Sequence, residues 1–130
     1  MAVADGDAIA VEKQPGKIGN GAVDLPVSDI GFGHTRWATH GGISAANAHP
    51  HLDCHGQIAI IHNGIIENFR QLKASLVARG HLFASETDSE VIAHLLEEEL
   101  AGTDGDLTRA MQTVVPRLEG FNAIIALDAR

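Results

Sequence analysis

The chain has one cysteine, one tryptophan, four phenylalanines and no tyrosine in 130 residues. A lone Cys54 cannot close an internal disulfide, which excludes the cross-linked scaffold of small secreted domains and fits a reducing compartment. Basic residues are also scarce, with 9 against 17 acidic ones and a formal charge of -8. Such a balance opposes phosphate backbones and anionic lipid surfaces, so neither nucleic acid nor membrane is expected as a partner. No apolar run approaches the ~20 residues of a membrane span, and the opening MAVADGDAIAVEK lacks the basic-then-apolar order of a secretory signal. A cytoplasmic location is expected. What remains is 45% hydrophobic residues, enough for one domain with a real core.

Asp5-Gly6-Asp7 between Ala2 and Glu12 reads as the turn of a two-stranded hairpin. Lys13 to Val27 is rich in Gly and Pro without sustained period and reads as loop. Asp29–His34 and Gln57–His62 read as strands, the second ending at Asn63-Gly64. Three helices follow. Ile66, Phe69, Leu72, Leu76 and Val77 mark the first, with Gly80 as its stop. Thr87 and Glu90 read as a capping box for the second, whose stripe is Val91, Ile92, Leu95, Leu96 and Leu100 and whose Glu97, Glu98 and Glu99 read as a solvated face. Asp106 caps the third, striped by Leu107, Met111, Val114, Val115 and Leu118 and ended by Pro116. Asn122–Leu127 reads as a buried strand. One-sided helices among strands predict an α+β layer protein.

Chemistry-bearing residues concentrate between Gly31 and Asn68, which hold Arg36, Trp37 and six of the eight histidines. Releasing ammonia from an amide requires a nucleophile, a base, two oxyanion donors and charged anchors for the amino-acid ends. Arg36 offers a planar fork for a carboxylate, with Thr39 and His40 near enough to add donors. Asp88 offers the opposite charge for an ammonium, and Asn63-Gly64 pairs a side-chain amide with an unobstructed backbone N–H.

GHTRWATHG (Gly33–Gly41), NAHPH (Asn47–His51), HNGIIEN (His62–Asn68) and SETDSEV (Ser85–Val91), in this order, resemble the glutaminase domain of the glucosamine-6-phosphate synthase family, a class II glutamine amidotransferase. The resemblance runs from Asp29 to the last residue. It implies the N-terminal-nucleophile hydrolase fold, a four-layer αββα sandwich, and glutamine hydrolysis to glutamate and ammonia for amino-sugar synthesis. It further implies that Asn63 and Gly64 form the oxyanion hole, that Arg36, Thr39 and His40 hold the glutamine carboxylate, that Asp88 with Gly64 holds the amine, and that Trp37 lies near the pocket. No cofactor and no metal are expected.

In that family the nucleophile is an N-terminal cysteine whose own amino group is the base. Position 1 here is Met, so the expectation is a partial amidotransferase domain over residues 1–130, incomplete at its N-terminus and inactive alone. The sugar-isomerase domain is expected as a partner, and the missing strand implies an open sheet edge and homo-oligomers. Two alternatives stand beside this. One is a non-catalytic glutamine-binding or regulatory module. The other is a metal-dependent hydrolase with His49, His51, His55 and Cys54 as ligands, completed by His40 or His62.

Overall fold

A computed structural model of the chain describes residues 1–14, 23–35 and 42–130. Strand β5 (Ile58–Gly64) is the central element, because it is the middle member of one sheet and is buried on both faces. Successive side chains of a strand point to opposite faces, so Ile58 and Ile60 join the helix-side core while Ala59 joins a second core with Ala2, Ile9 and Ala129. Burial on both sides is why QIAIIH shows no polar alternation.

The neighbours of β5 are both antiparallel. Strand β4 (His51–Leu52) pairs with it through His51↔Ile60, and β6 (Asn122–Asp128) through Ile60↔Ala126 and Gly64↔Asn122. The other sheet has the order β2-β1-β3, with β1 (Ala2–Asp5) and β2 (Ala8–Val11) forming the expected hairpin about Gly6 and β3 (Gly31–Phe32) pairing Ala2↔Phe32. Phe32, Val11 and Leu52 complete the apolar layer between the sheets.

Helices cover the opposite face of β5. Helix α2 (Glu90–Gly102) lies against β4 and β5, with α1 (Phe69–Ala78) and α3 (Leu107–Val114) beside it. Its stripe Val91, Ile92, Leu95, Leu96 and Leu100 is buried as the periodicity predicts. The described residues thus form three of the four expected layers, and the α+β class holds.

Several local expectations are corrected. Glu90 does not close a capping box with Thr87; its carboxylate accepts from the Ala84 and Ser85 amides and Ser85 Oγ, while Thr87 Oγ1 meets His51 Nε2 at 3.1 Å. Helix α1 starts at Phe69, because the Ile66 amide donates instead to Asp88 Oδ2 at 2.8 Å. Strand β6 alternates in burial, because Ile124 and Ala126 pack on the helix-side core while Ile125, on the opposite face, is left 57% exposed. Asp106 does cap α3 by accepting the Arg109 amide, and Pro116 falls in the 3-10 turn Val115–Arg117 that ends it. Two-residue β4 was not foreseen.

Candidate active site

The polar end of β5 is assembled from both faces of the strand. His62 points to the helix side, where Nδ1 meets Ser89 Oγ and Nε2 meets Asn122 Oδ1, each at 2.9 Å. With both ring nitrogens engaged and 3% exposure, His62 ties β5 to β6 and to the start of α2. It has no lone pair left for a metal.

Asn63 points the other way, toward the chain that leaves β3. Its Oδ1 lies 2.7 Å from His34 Nε2, so an Nε2–H of His34 fixes the amide and turns the Asn63 Nδ2 donors away from that contact. Sequence reasoning gave His34 no role. The signal was its place directly ahead of Thr35-Arg36 at the end of a strand. His34 stacks on His49 with ring centroids 4.4 Å apart, and His49 meets His51 at 4.8 Å.

Gly64 cannot be another residue without rearrangement. Its φ of +144° disfavours side chains, and a Cβ there would sit 2.2 Å from the Phe121 carbonyl oxygen and 2.9 Å from His62 Nε2. Asn63 and Gly64 are both exposed, so two donors stand at an open strand end. They are the last residues of β5 rather than the two-residue turn that Asn-Gly often marks.

Asp88 is 2% exposed and accepts the Ile66 amide. One carboxylate oxygen therefore holds the segment that follows Gly64, while Oδ1 accepts no hydrogen bond from the described residues. Asn47 supports the same region, accepting the Glu86 amide at 2.9 Å and donating to the Gly42 carbonyl at 3.0 Å. Thus the NAHPH, HNGIIEN and SETDSEV segments converge through named hydrogen bonds. Arg36, Trp37, Thr39 and His40 lie outside the described residues.

The profile of the glutamine amidotransferase domain matches residues 34–130. The chain belongs to the glutamine amidotransferase domain family. Among its relatives, the glutamine–fructose-6-phosphate aminotransferase (isomerizing) of Streptomyces coelicolor is 52% identical over 98% of this chain, and that of Pyrococcus horikoshii 50% over 93%. The chain covers 21% of each of those relatives. In structure, it resembles the glutamine phosphoribosylpyrophosphate amidotransferase of B. subtilis complexed with ADP and GMP, with TM-score 0.59, 28% identity and coverage of 74% of this chain and 20% of that one. The allosteric regulatory enzyme of purine biosynthesis gives the same TM-score at 30% identity, over 74% of this chain and 21% of that one. These amidotransferases share the N-terminal-nucleophile fold expected from the motifs.

Within this amidotransferase domain, the grouping of Cys54 with His49, His51 and His55 does not form as a ligand set. His49 and His51 pack with His34 beside Asn63, whereas Cys54 lies in the turn between β4 and β5, against His81 and His94. That turn and Asn63-Gly64 are at opposite ends of β5, separated by roughly 20 Å at about 3.4 Å per residue. Burial pushes the Cys54 thiol up, and the Glu97 carboxylate adds to this. Cys54 is therefore neither placed nor activated to attack an amide held at the other end. The acidic triplet is corrected too. Glu97 turns inward to these histidines, Glu98 pairs with Arg79 and His81, and Glu99 with Arg117.

Proposed function

We propose that this chain binds glutamine at the C-terminal end of β5 and supplies the oxyanion donors for its hydrolysis, the ammonia-releasing half of a glucosamine-6-phosphate synthase reaction. The observation that carries the reading is the juxtaposition of Asn63, oriented by His34, with a Gly64 that tolerates no side chain and a buried Asp88 bonded to the segment directly after them.

In the reaction a thiol adds to the side-chain amide carbon of glutamine, and the carbonyl oxygen becomes an oxyanion. Asn63 Nδ2 and the Gly64 N–H donate to that oxygen, which they stabilise more as its charge grows. The tetrahedral species expels ammonia as the leaving nitrogen takes up a proton, and water then cleaves the thioester to glutamate. Asp88 Oδ1 with Gly64 receives the substrate ammonium, while Arg36, Thr39 and His40 receive its carboxylate and Trp37 borders the pocket. That thiol is not Cys54, which sits at the other end of β5. A sugar-isomerase partner domain receives the ammonia, in keeping with relatives about five times as long. The exposed Ile125 face of β6 supports homo-oligomers, which light scattering would test.

Calorimetry with L-glutamine tests the binding claim. Heat is expected for the wild type and should be lost in Arg36→Ala and weakened in Arg36→Lys, because an ammonium cannot make the two parallel bonds of a guanidinium. Equal heats for wild type and Arg36→Ala would sink the assignment.

A further inference from the structure

Among the described residues, a second polar cluster lies at the other end of β5, apart from the residues assigned to glutamine. Cys54 comes from the β4–β5 turn, His81 follows the Gly80 stop of α1, and His94 and Glu97 lie one turn apart on α2. One ligand atom from each lies within 4.8 Å of all the others. Cys54 Sγ is 3.5 Å from both His81 Nδ1 and His94 Nδ1, and the two Nδ1 atoms are 3.3 Å apart. Glu97 Oε2 lies 3.1 Å from His81 Nδ1 and 3.3 Å from His94 Nδ1.

Hydrogen bonding does not account for this convergence. Each Nδ1 carries at most one proton yet faces three partners, and protons on both nitrogens would oppose each other across 3.3 Å. A central cation uses all four lone pairs together. Zinc bonds of about 2.3 Å to sulfur and about 2.0–2.1 Å to nitrogen, at tetrahedral angles, place two nitrogens about 3.3 Å apart and sulfur about 3.5 Å from each. Those are the separations found here.

An independent feature lies on the far side of both rings. His81 Nε2 is 3.1 Å from Glu98 Oε1, and His94 Nε2 is 3.7 Å from Glu90 Oε1. A carboxylate facing Nε2 draws the imidazole proton there and leaves the Nδ1 lone pair aimed at the common centre. Glu98 is held in turn by Arg79, and Glu90 by Ser85 and the Ala84 amide. His81 thus carries the hydrogen-bonded outer carboxylate that zinc-bound histidines use, while Glu90 faces His94 Nε2 as an opposite charge at 3.7 Å, beyond hydrogen-bond distance. Thiolate, carboxylate and two neutral imidazoles total two negative charges, which a divalent cation neutralises. A cleft bordered by Asp53, His55, Gln57, Glu98 and Arg130 gives an ion access from solvent.

We infer that Cys54, His81, His94 and Glu97 form a tetrahedral zinc site that clamps the β4–β5 turn and the α1–α2 connection to the middle of α2. Four protein ligands leave no open position, so the ion is structural. Ligands of mixed sulfur, nitrogen and oxygen favour zinc over magnesium or calcium, which prefer oxygen alone.

The test loads the whole chain with Zn²⁺ or Co²⁺, removes free metal by gel filtration, and reads metal content and absorption. About one zinc per chain is expected. The cobalt form should show tetrahedral d–d bands and a thiolate-to-cobalt charge-transfer band. Cys54→Ser, at an exposed position that leaves the core intact, should abolish the charge-transfer band and lower zinc affinity. Glu98→Gln should keep the band and weaken zinc about ten-fold or more. Zinc should also raise the melting temperature of the wild type and not that of Cys54→Ser. Zinc well below one per chain, a cobalt spectrum without the sulfur band, or Cys54→Ser that binds like wild type would each overturn the inference.

Discussion

The two ends of β5 are both polar, yet their donors are arranged in opposite senses. At the C-terminal end the groups diverge. Asn63 Oδ1 is fixed by His34, one oxygen of Asp88 by the Ile66 amide, and both ring nitrogens of His62 by Ser89 and Asn122. The remaining donors and acceptor stand apart at an open strand end, as a site needs when its occupant arrives and leaves. At the N-terminal end Cys54, His81, His94 and Glu97 aim at one another within 4.8 Å. There the crowding of lone pairs calls for a resident positive charge. One strand can therefore serve a transient substrate and a permanent ion, because α2 runs back along it and contributes to both, Asp88 and Ser89 at its start and His94 and Glu97 further along.

Breaking the first end should cost most. In Gly64→Ala the new Cβ meets the Phe121 carbonyl at 2.2 Å in a backbone with φ of +144°, so β5 and β6 must part at their last pair. Destabilisation of about 3 kcal/mol or more is expected by urea unfolding, with glutamine heats lost as well. A wild-type midpoint in that variant would show that the close approach is not needed.

The second end should respond to its ion. Saturating the wild type with zinc to about 100 times its dissociation constant should add about 2.7 kcal/mol to unfolding, and a chelator should remove that gain. No change in the urea midpoint on chelation would separate the cluster from the stability of the fold.

Glu90 joins the two ends, and its response to acid has a defined sign. Burial raises its pKa, but contacts from His94, Ser85 and the Ala84 and Ser85 amides outweigh this and hold its carboxyl down at about 2. An acid depressed in the folded state contributes stability above its unfolded value of about 4.3, and the contribution is lost as pH falls toward 2. Wild type should therefore lose on the order of 2 kcal/mol across that window. Glu90→Gln should show a flatter acid limb, and an identical slope in the two proteins would refute the linkage.

The smallest effect is expected from His34→Ala, which removes a partly exposed hydrogen bond worth about 0.5–1.5 kcal/mol. Its signature is local. The Asn63 side-chain amide resonances should broaden or move while the core amides stay in place, and unmoved Asn63 signals would show that His34 does not orient it.

The two ends also differ in how far the sequence revealed them. Asn63-Gly64 and Asp88 could be singled out because contiguous motifs carry their family signature, and the α2 stripe because its apolar residues recur at helical spacing and are buried, whereas Val115 of the expected α3 stripe is 45% exposed. Glu90 was misread as a capping-box partner, since spacing alone cannot show that the Ala84 and Ser85 amides compete for its carboxylate. The acidic triplet looked solvated for a related reason, as nothing local says that Cys54 and His81 will be folded against Glu97. Forty-three residues separate Cys54 from Glu97, and no spacing rule links positions joined by three different elements. Strand β4 has two residues, too few to display a period.

The claim that β5 carries two separate sites is tested most directly by following backbone and side-chain amide resonances while L-glutamine is added. Shifts should centre on Asn63, Gly64, Ile66 and Asp88, leaving Cys54, His81, His94 and Glu97 unmoved. Shifts centred on the Cys54 cluster, or none at either end, would contradict the account.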